Sequence, residues 1–221
     1  MPDWDANAAG FVLAGGQSSR MGSDKALALF RGRSLMETAL GILQDAGLAG
    51  RIAGARSVLS HFAPVLADTW RDVGPLGGVH AGLTASEAEW NLFLPVDMPL
   101  LPSELLGCLL QRTQRTGCPV TASTCQGRLQ PFPVLLHRDV LPFLEQRLRL
   151  GQTAAHAAWR SIPAESGSEL DCPAVENLVQ AGQVCHPRGL PPCFWFASAN
   201  FPADLARLEA ITSGLPRMRS F

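Results

Sequence analysis

The chain has 221 residues, 47% of them hydrophobic and only 17% charged, against roughly 25% charged in ordinary globular domains; this excludes disorder over the whole length. With 18 Lys+Arg against 19 Asp+Glu the formal net charge is −1, so no basic excess speaks for nucleic acid as a partner. No apolar run approaches the roughly 18 residues of a membrane span, the opening residues are acidic where a secretory leader is basic, and six Cys without C-x-x-C spacing indicate neither a zinc site nor a disulfide framework; the expected place is the cytoplasm.

Residues 8–14 (AAGFVLA) form a short apolar run ending in Gly15-Gly16, which predicts a buried strand and a turn. A polar loop, 17–25, follows. Ser34 and Glu37 make a capping box for a helix whose face is Met36, Ala39, Leu40 and Leu43, with Gly47 as its stop. Residues 51–55 and 64–67 read as strands, the second leading to Asp68; 76–85 reads as a helix. Residues 91–96 are the clearest strand, running into Asp97-Met98-Pro99. A helix is expected over about 102–115, strands over 119–123 and 132–136, and helices over 139–150 and 153–159. Residues 164–193 read as an irregular surface excursion, 194–197 as a last strand, 202–211 as a helix and 213–221 as a loose tail. Strands alternating with helices predict an α/β fold, a mostly parallel sheet with helices on both faces.

Three constellations carry chemistry. The first is LAGGQSSRMGSDK, residues 13–25. Its glycines let backbone N–H groups approach an anion, and Ser18, Ser19, Arg20 and Lys25 add donors and two positive charges, a set suited to a polyphosphate. It is not a Walker A loop, because Gly22 is followed by Ser and stands one residue too far from Gly16. Of the 18 basic residues, 17 are Arg and only residue 25 is Lys, which singles out a compact ammonium there. The second is Asp97, a carboxylate at the carboxyl end of a strand, where open α/β sheets bind ligands and where Mg²⁺ bridging phosphates would be held. The third is DVGPLGG, residues 72–78, a Gly/Pro loop opening a helix, with Asp68 upstream to accept hydrogen bonds from a guanine edge or ribose; a plain connection between elements explains its glycines equally well.

Together, LAGGQSSRMGSDKAL, GPLGG and LPVDMPLLP resemble the molybdenum cofactor guanylyltransferases. The resemblance, close over about residues 9–100, implies a three-layer Rossmann-like nucleotidyltransferase fold, one domain over residues 1–212, that joins GMP from GTP to the terminal phosphate of molybdopterin with Mg²⁺. It implies nucleotide contacts at Leu13, Ala14, Gly15, Gly16, Lys25, Asp68, Gly77 and Asp97, and the metal at Asp97. Arg20 and Lys25 would stabilise departing pyrophosphate, while a phosphate nucleophile, already ionised, needs no general base. Proteins that deliver molybdopterin or mature molybdoenzymes are the partners it suggests.

Departures from the family pattern lie at IAGAR, residues 52–56, where an Asn-containing segment is usual, and at Ser198-Ala-Asn200, where the family has Asn-x-Asn. Asn200 reads equally as part of the metal or acceptor site and as the N-cap of the helix after Pro202. Arg128 reads equally as an acceptor-binding group and as a solvated loop residue. Rival functions are a molybdopterin cytidylyltransferase, which tends to carry Ala in place of Gly15, another small-acceptor nucleotidyltransferase, and a non-catalytic GTP-binding delivery module.

Overall fold

A computed structural model of the protein describes residues 7–15, 24–54, 57–70 and 72–213. In chain order these form β1 (Ala8–Leu13), a small hairpin of β2 (Leu29–Phe30) and β3 (Arg33–Ser34), α1 (Leu35–Asp45), β4 (Gly50–Ala53), β5 (Val65–Leu66), α2 (Pro75–Ala85), β6 (Trp90–Pro95), α3 (Ser103–Thr116), β7 (Val120–Cys125), β8 (Arg128–His137), α4 (Leu141–Arg149), α5 (Ala155–Glu165), β9 (Leu170–Asp171), α6 (Val175–Gln180) and α7 (Pro202–Ser213). Seven strands make one sheet in the order β5-β4-β1-β6-β8-β7-β9. The pairs β5/β4, β4/β1, β1/β6 and β7/β9 are parallel; only β8 runs against its neighbours β6 and β7. The sheet is therefore mostly parallel, as expected.

Strand parity divides the core into two layers. Phe11 pairs in register with Phe93, and their rings stack with centroids 5.1 Å apart. With Leu13 they face α2, α4 and α5, among Leu76, Val79, Leu144 and Trp159. Their neighbours Val12, Leu92 and Leu94 point to the opposite side, among Leu35, Met36, Leu43, Leu105, Leu109 and Leu205. Both faces of β1 and β6 are covered, which explains why their sequences read as mainly apolar runs, broken in β6 by the buried Asn91, and not as alternation. Each fully buried side chain of this size contributes about 1.5–3 kcal/mol.

The capping box at α1 is present: Ser34 Oγ accepts from Glu37 N at 3.1 Å, and Glu37 accepts from Ser34 N at 2.7 Å. Four expectations need correction. Residues 194–197 are not a strand: Pro192–Phe194 make a 3-10 turn, and Trp195 is drawn inward, 1% exposed, with its indole N–H donating to Leu190 O at 2.7 Å. The N–H groups of Phe194, Trp195 and Ala197 bond back within turns, to Pro191 O, Pro192 O and Phe194 O at 3.1 Å each, and are not available to a strand ladder. Residues 164–193 are not an excursion. They include β9 and α6, and Val175, Leu178, Val184 and Leu190 are buried. Arg112 on α3 holds β9 to the sheet by a two-pronged pair with the buried Asp171, at 2.7 and 2.6 Å. Finally, the helix expected over 153–159 continues through Pro163 to Glu165. Ser213, expected in the tail, is the last residue of α7, and 214–221 lie outside the described residues.

Candidate active site

Three parallel strands end side by side and build the floor of a cleft. Ala14 N donates to Ala53 O at 3.0 Å, Gly54 N to Leu66 O at 3.0 Å, and Val96 N to Leu13 O at 3.1 Å, so the carboxyl ends of β1, β4 and β6 are tied together. Gly54, at φ +151°, lets the chain pass close beside Ala14–Gly15; a Cβ there would lie 2.9 Å from Gly15 N. A Cβ on Gly15 itself would meet nothing within 4 Å among the described residues, so its backbone borders open space there. That space is a cleft of about 410 Å³, lined among others by Leu13, Gly15, Gly74, Asp97, Phe132 and Ser198. The N-terminus of α2 faces it, with Pro75 at the first helical position and no side-chain cap. The helix dipole favours negative charge there.

Lys25 stands at the cleft beside Asp97. Asp24 Oδ1 accepts from Ala26 N at 3.1 Å and starts a 3-10 turn, and the buried Ala26 anchors that turn to the core. The Lys25 ammonium donates to Asp97 Oδ2 at 2.6 Å and to Asn200 Oδ1 at 2.7 Å. Ser198 Oγ also donates to Asp97 Oδ2, and Asn200 Nδ2 donates to Ser198 Oγ at 3.1 Å. Ala199 N donates to Asp97 O at 2.9 Å. The loop after β1, the end of β6 and the segment before α7 thus meet on one carboxylate. The Lys25 and Asp97 side chains are 18% and 16% exposed, so their attraction is stronger than in water and they remain reachable by a ligand.

Of the residues expected at the site, Leu13, Gly15, Lys25 and Asp97 line the cleft, and Ala14 lies buried in the same turn. Gly16 and Arg20 lie outside the described residues. Asp68 stands over the first turn of α2, where a Cβ on Gly77 would collide with its carboxylate. Burial raises the Asp68 pKa above the usual carboxylate range, partly offset by the N–H of Trp70. Gly77 serves that approach, while its neighbour Gly78 borders the cleft. The side chain of Asn200 does not cap α7: Asp204 Oδ2 accepts from both Asn200 N and Phe201 N, at 2.9 and 2.8 Å, and leaves the Asn200 amide to Lys25 and Ser198. Arg128 begins β8 on an exposed hairpin and is not among the residues lining the cleft. Ser198 and Phe132 also line the cleft, and sequence reasoning does not single them out for it. Ser198 was visible only as a departure from Asn-x-Asn, and Phe132 was read as part of a strand.

The donor set fits a hard divalent cation. Asp97 and Asn200 offer carboxylate and amide oxygens beside open space, and such cations take one or two carboxylates and complete their shell with phosphate and water.

Residues 10–166 match the MobA-like NTP transferase domain. A molybdenum cofactor guanylyltransferase of Vibrio atlanticus is 32% identical over 184 residues, 78% of this chain and 94% of that protein. A probable molybdenum cofactor guanylyltransferase of Deinococcus radiodurans is 32% identical over 206 residues, 90% of this chain and 92% of that one. Among solved structures, molybdopterin-guanine dinucleotide biosynthesis protein A from Archaeoglobus fulgidus superimposes with a TM-score of 0.72 at 20% identity, covering 93% of this chain and 98% of its own. No helix among the described residues is long and apolar enough to cross a membrane.

Proposed function

The chain belongs to the MobA-like NTP transferase family and is a nucleotidyltransferase, and we propose that it transfers GMP from GTP to the terminal phosphate of molybdopterin, releasing pyrophosphate. The observation that carries this reading is the convergence of Lys25, Asp97 and Asn200 beside the open Gly15 backbone. The triphosphate would lie along the turn after β1, toward the N-terminus of α2, where backbone N–H groups and the helix dipole favour it. The desolvated Asp68 carboxylate would take up donors of the base or ribose. Phe132 and Met98, which also line the cleft, would pack against the acceptor. Leu13, Ala14, Gly15 and Gly16 are the assigned backbone contacts.

The attacking group is a phosphate oxygen, ionised at neutral pH, so the chain need only position the reactants and neutralise charge. Lys25, released from Asp97 as the nucleotide enters, gives a point charge to the pyrophosphate as it leaves, and Arg20 is assigned the same task. Mg²⁺ held at Asp97 and Asn200 would neutralise the reacting phosphates when bound. The reading places the protein in the cytoplasm, exchanging molybdopterin with proteins that deliver it or use the product.

The test offers purified protein molybdopterin, Mg²⁺ and an equimolar mixture of GTP and CTP, and identifies the dinucleotide by mass spectrometry. A guanine dinucleotide is expected. A cytosine product would overturn the base assignment, and binding of GTP without any product would favour a delivery module.

A further inference from the structure

We propose that Ser198 is a positioning residue, whose hydroxyl holds the Asp97 carboxylate in the orientation in which it receives the cation; the proposal rests on the reading above that Asp97 binds one. The direction of each hydrogen bond follows from the groups present. The Lys25 ammonium can only donate, so the atom of Asn200 facing it at 2.7 Å is the amide oxygen. The amide nitrogen then faces Ser198 Oγ, at 3.1 Å, and can only donate to it. A carboxylate oxygen accepts, so the Ser198 hydroxyl turns its proton to Asp97 Oδ2, with which it pairs. Asp97 Oδ2 therefore receives two donors, Lys25 Nζ and Ser198 Oγ, and none of these bonds uses Oδ1.

Of the two donors only one carries charge. Lys25 neutralises Asp97 before nucleotide binds and leaves it when the triphosphate and cation arrive. Ser198 has no charge to give up, and its backbone is fixed by Ala199 N donating to Asp97 O at 2.9 Å. It stays on Oδ2 through the exchange, keeps the carboxylate from rotating, and presents Oδ1 to the cation. The shorter side chain at a position where the family carries Asn thus retains a task, through a hydroxyl that Asn200 orients.

Binding of Mn²⁺, followed by its electron paramagnetic resonance signal in the presence of GTP, tests this without turnover. Removing a group that orients a metal ligand typically weakens metal affinity 10- to 100-fold. Ser198→Ala is expected to bind Mn²⁺ at least about tenfold more weakly, and Ser198→Thr, which keeps the hydroxyl, to stay within about twofold of the unaltered protein. The turnover of Ser198→Ala should recover at saturating Mg²⁺, which a merely misfolded site would not do. Unchanged Mn²⁺ affinity in Ser198→Ala, or a Ser198→Thr as weak as Ala, overturns the role of the hydroxyl alone. If the unaltered protein with GTP bound takes up no Mn²⁺, both this proposal and the assignment of the metal to Asp97 fall.

Discussion

At the scale of single residues the proposed chemistry depends on Lys25. Its tetrahedral ammonium fits between two acceptors, Asp97 Oδ2 and Asn200 Oδ1, at 2.6 and 2.7 Å. A guanidinium is planar and wider, and spreads its charge. Lys25→Ala is expected to lower kcat at least about 100-fold, the loss of roughly 3 kcal/mol of transition-state stabilisation that a charge contact typically supplies. Lys25→Arg should also fall by more than about tenfold. Steady-state kinetics with saturating GTP checks both, and near-normal turnover by Lys25→Arg would contradict the role of a point charge. Gly77 gives a second test. A methyl group at that position would displace the Asp68 carboxylate, so Gly77→Ala should weaken GTP binding measured by calorimetry, with a smaller effect on kcat at saturating nucleotide.

At the scale of elements, β9 is held by Arg112, whose guanidinium pairs with a carboxylate only 7% exposed. Removing one partner of such a pair leaves a buried charge unpaired and costs about 3–5 kcal/mol; because the Arg112 side chain is 29% exposed, water relieves part of that, and Arg112→Ala should cost about 2 kcal/mol in urea unfolding. Adding Asp171→Asn to Arg112→Ala should recover part of the loss. The same pair shows where sequence reading reaches its limit. β1 and β6 were legible because both faces are buried and the run is mainly apolar. The two residues of β9 have no pattern of their own; tertiary pairing with Val120 and Thr121 makes them a strand. The aromatic run at 194–196 suggested a strand because it is apolar, but an inward indole and turn hydrogen bonds account for it instead. In the site, Lys25 and Asp97 stood out by their places in motifs. Their 2.6 Å contact, and the arrival of Ser198 and Asn200 from the far end of the chain, depend on the packing of the segment around Trp195.

Across the whole molecule, acid should loosen the layer that supports Asp97. His186 is 7% exposed, and its Nδ1 accepts from Arg188 N at 3.0 Å. Burial, offset in part by a hydrogen bond to the Leu100 backbone and reinforced by Arg188, holds its pKa down at about 4. In the unfolded chain the ordinary value is near 6.5. Between these values the unfolded state binds a proton that the folded state does not, so stability is fully present above about pH 6.5 and is lost as pH falls toward 4. The slope from this group is at most about 1.4 kcal/mol per pH unit. Chemical unfolding of the unaltered protein and of His186→Gln should differ in pH dependence in this window, the variant being the flatter of the two. Leu100 lies three residues beyond Asp97, so the same loosening should lower activity reversibly in mild acid.

All three scales bear on one reaction, guanylyl transfer at the carboxyl ends of β1 and β6. Its most direct test is molybdopterin-dependent release of pyrophosphate from GTP, followed in the unaltered protein and in Asp97→Asn. Release should match the guanine dinucleotide formed mole for mole, and should fall at least about 100-fold in the variant while GTP is still bound. A protein that binds GTP but releases no pyrophosphate with molybdopterin present, or an Asp97→Asn variant that turns over normally, would contradict it.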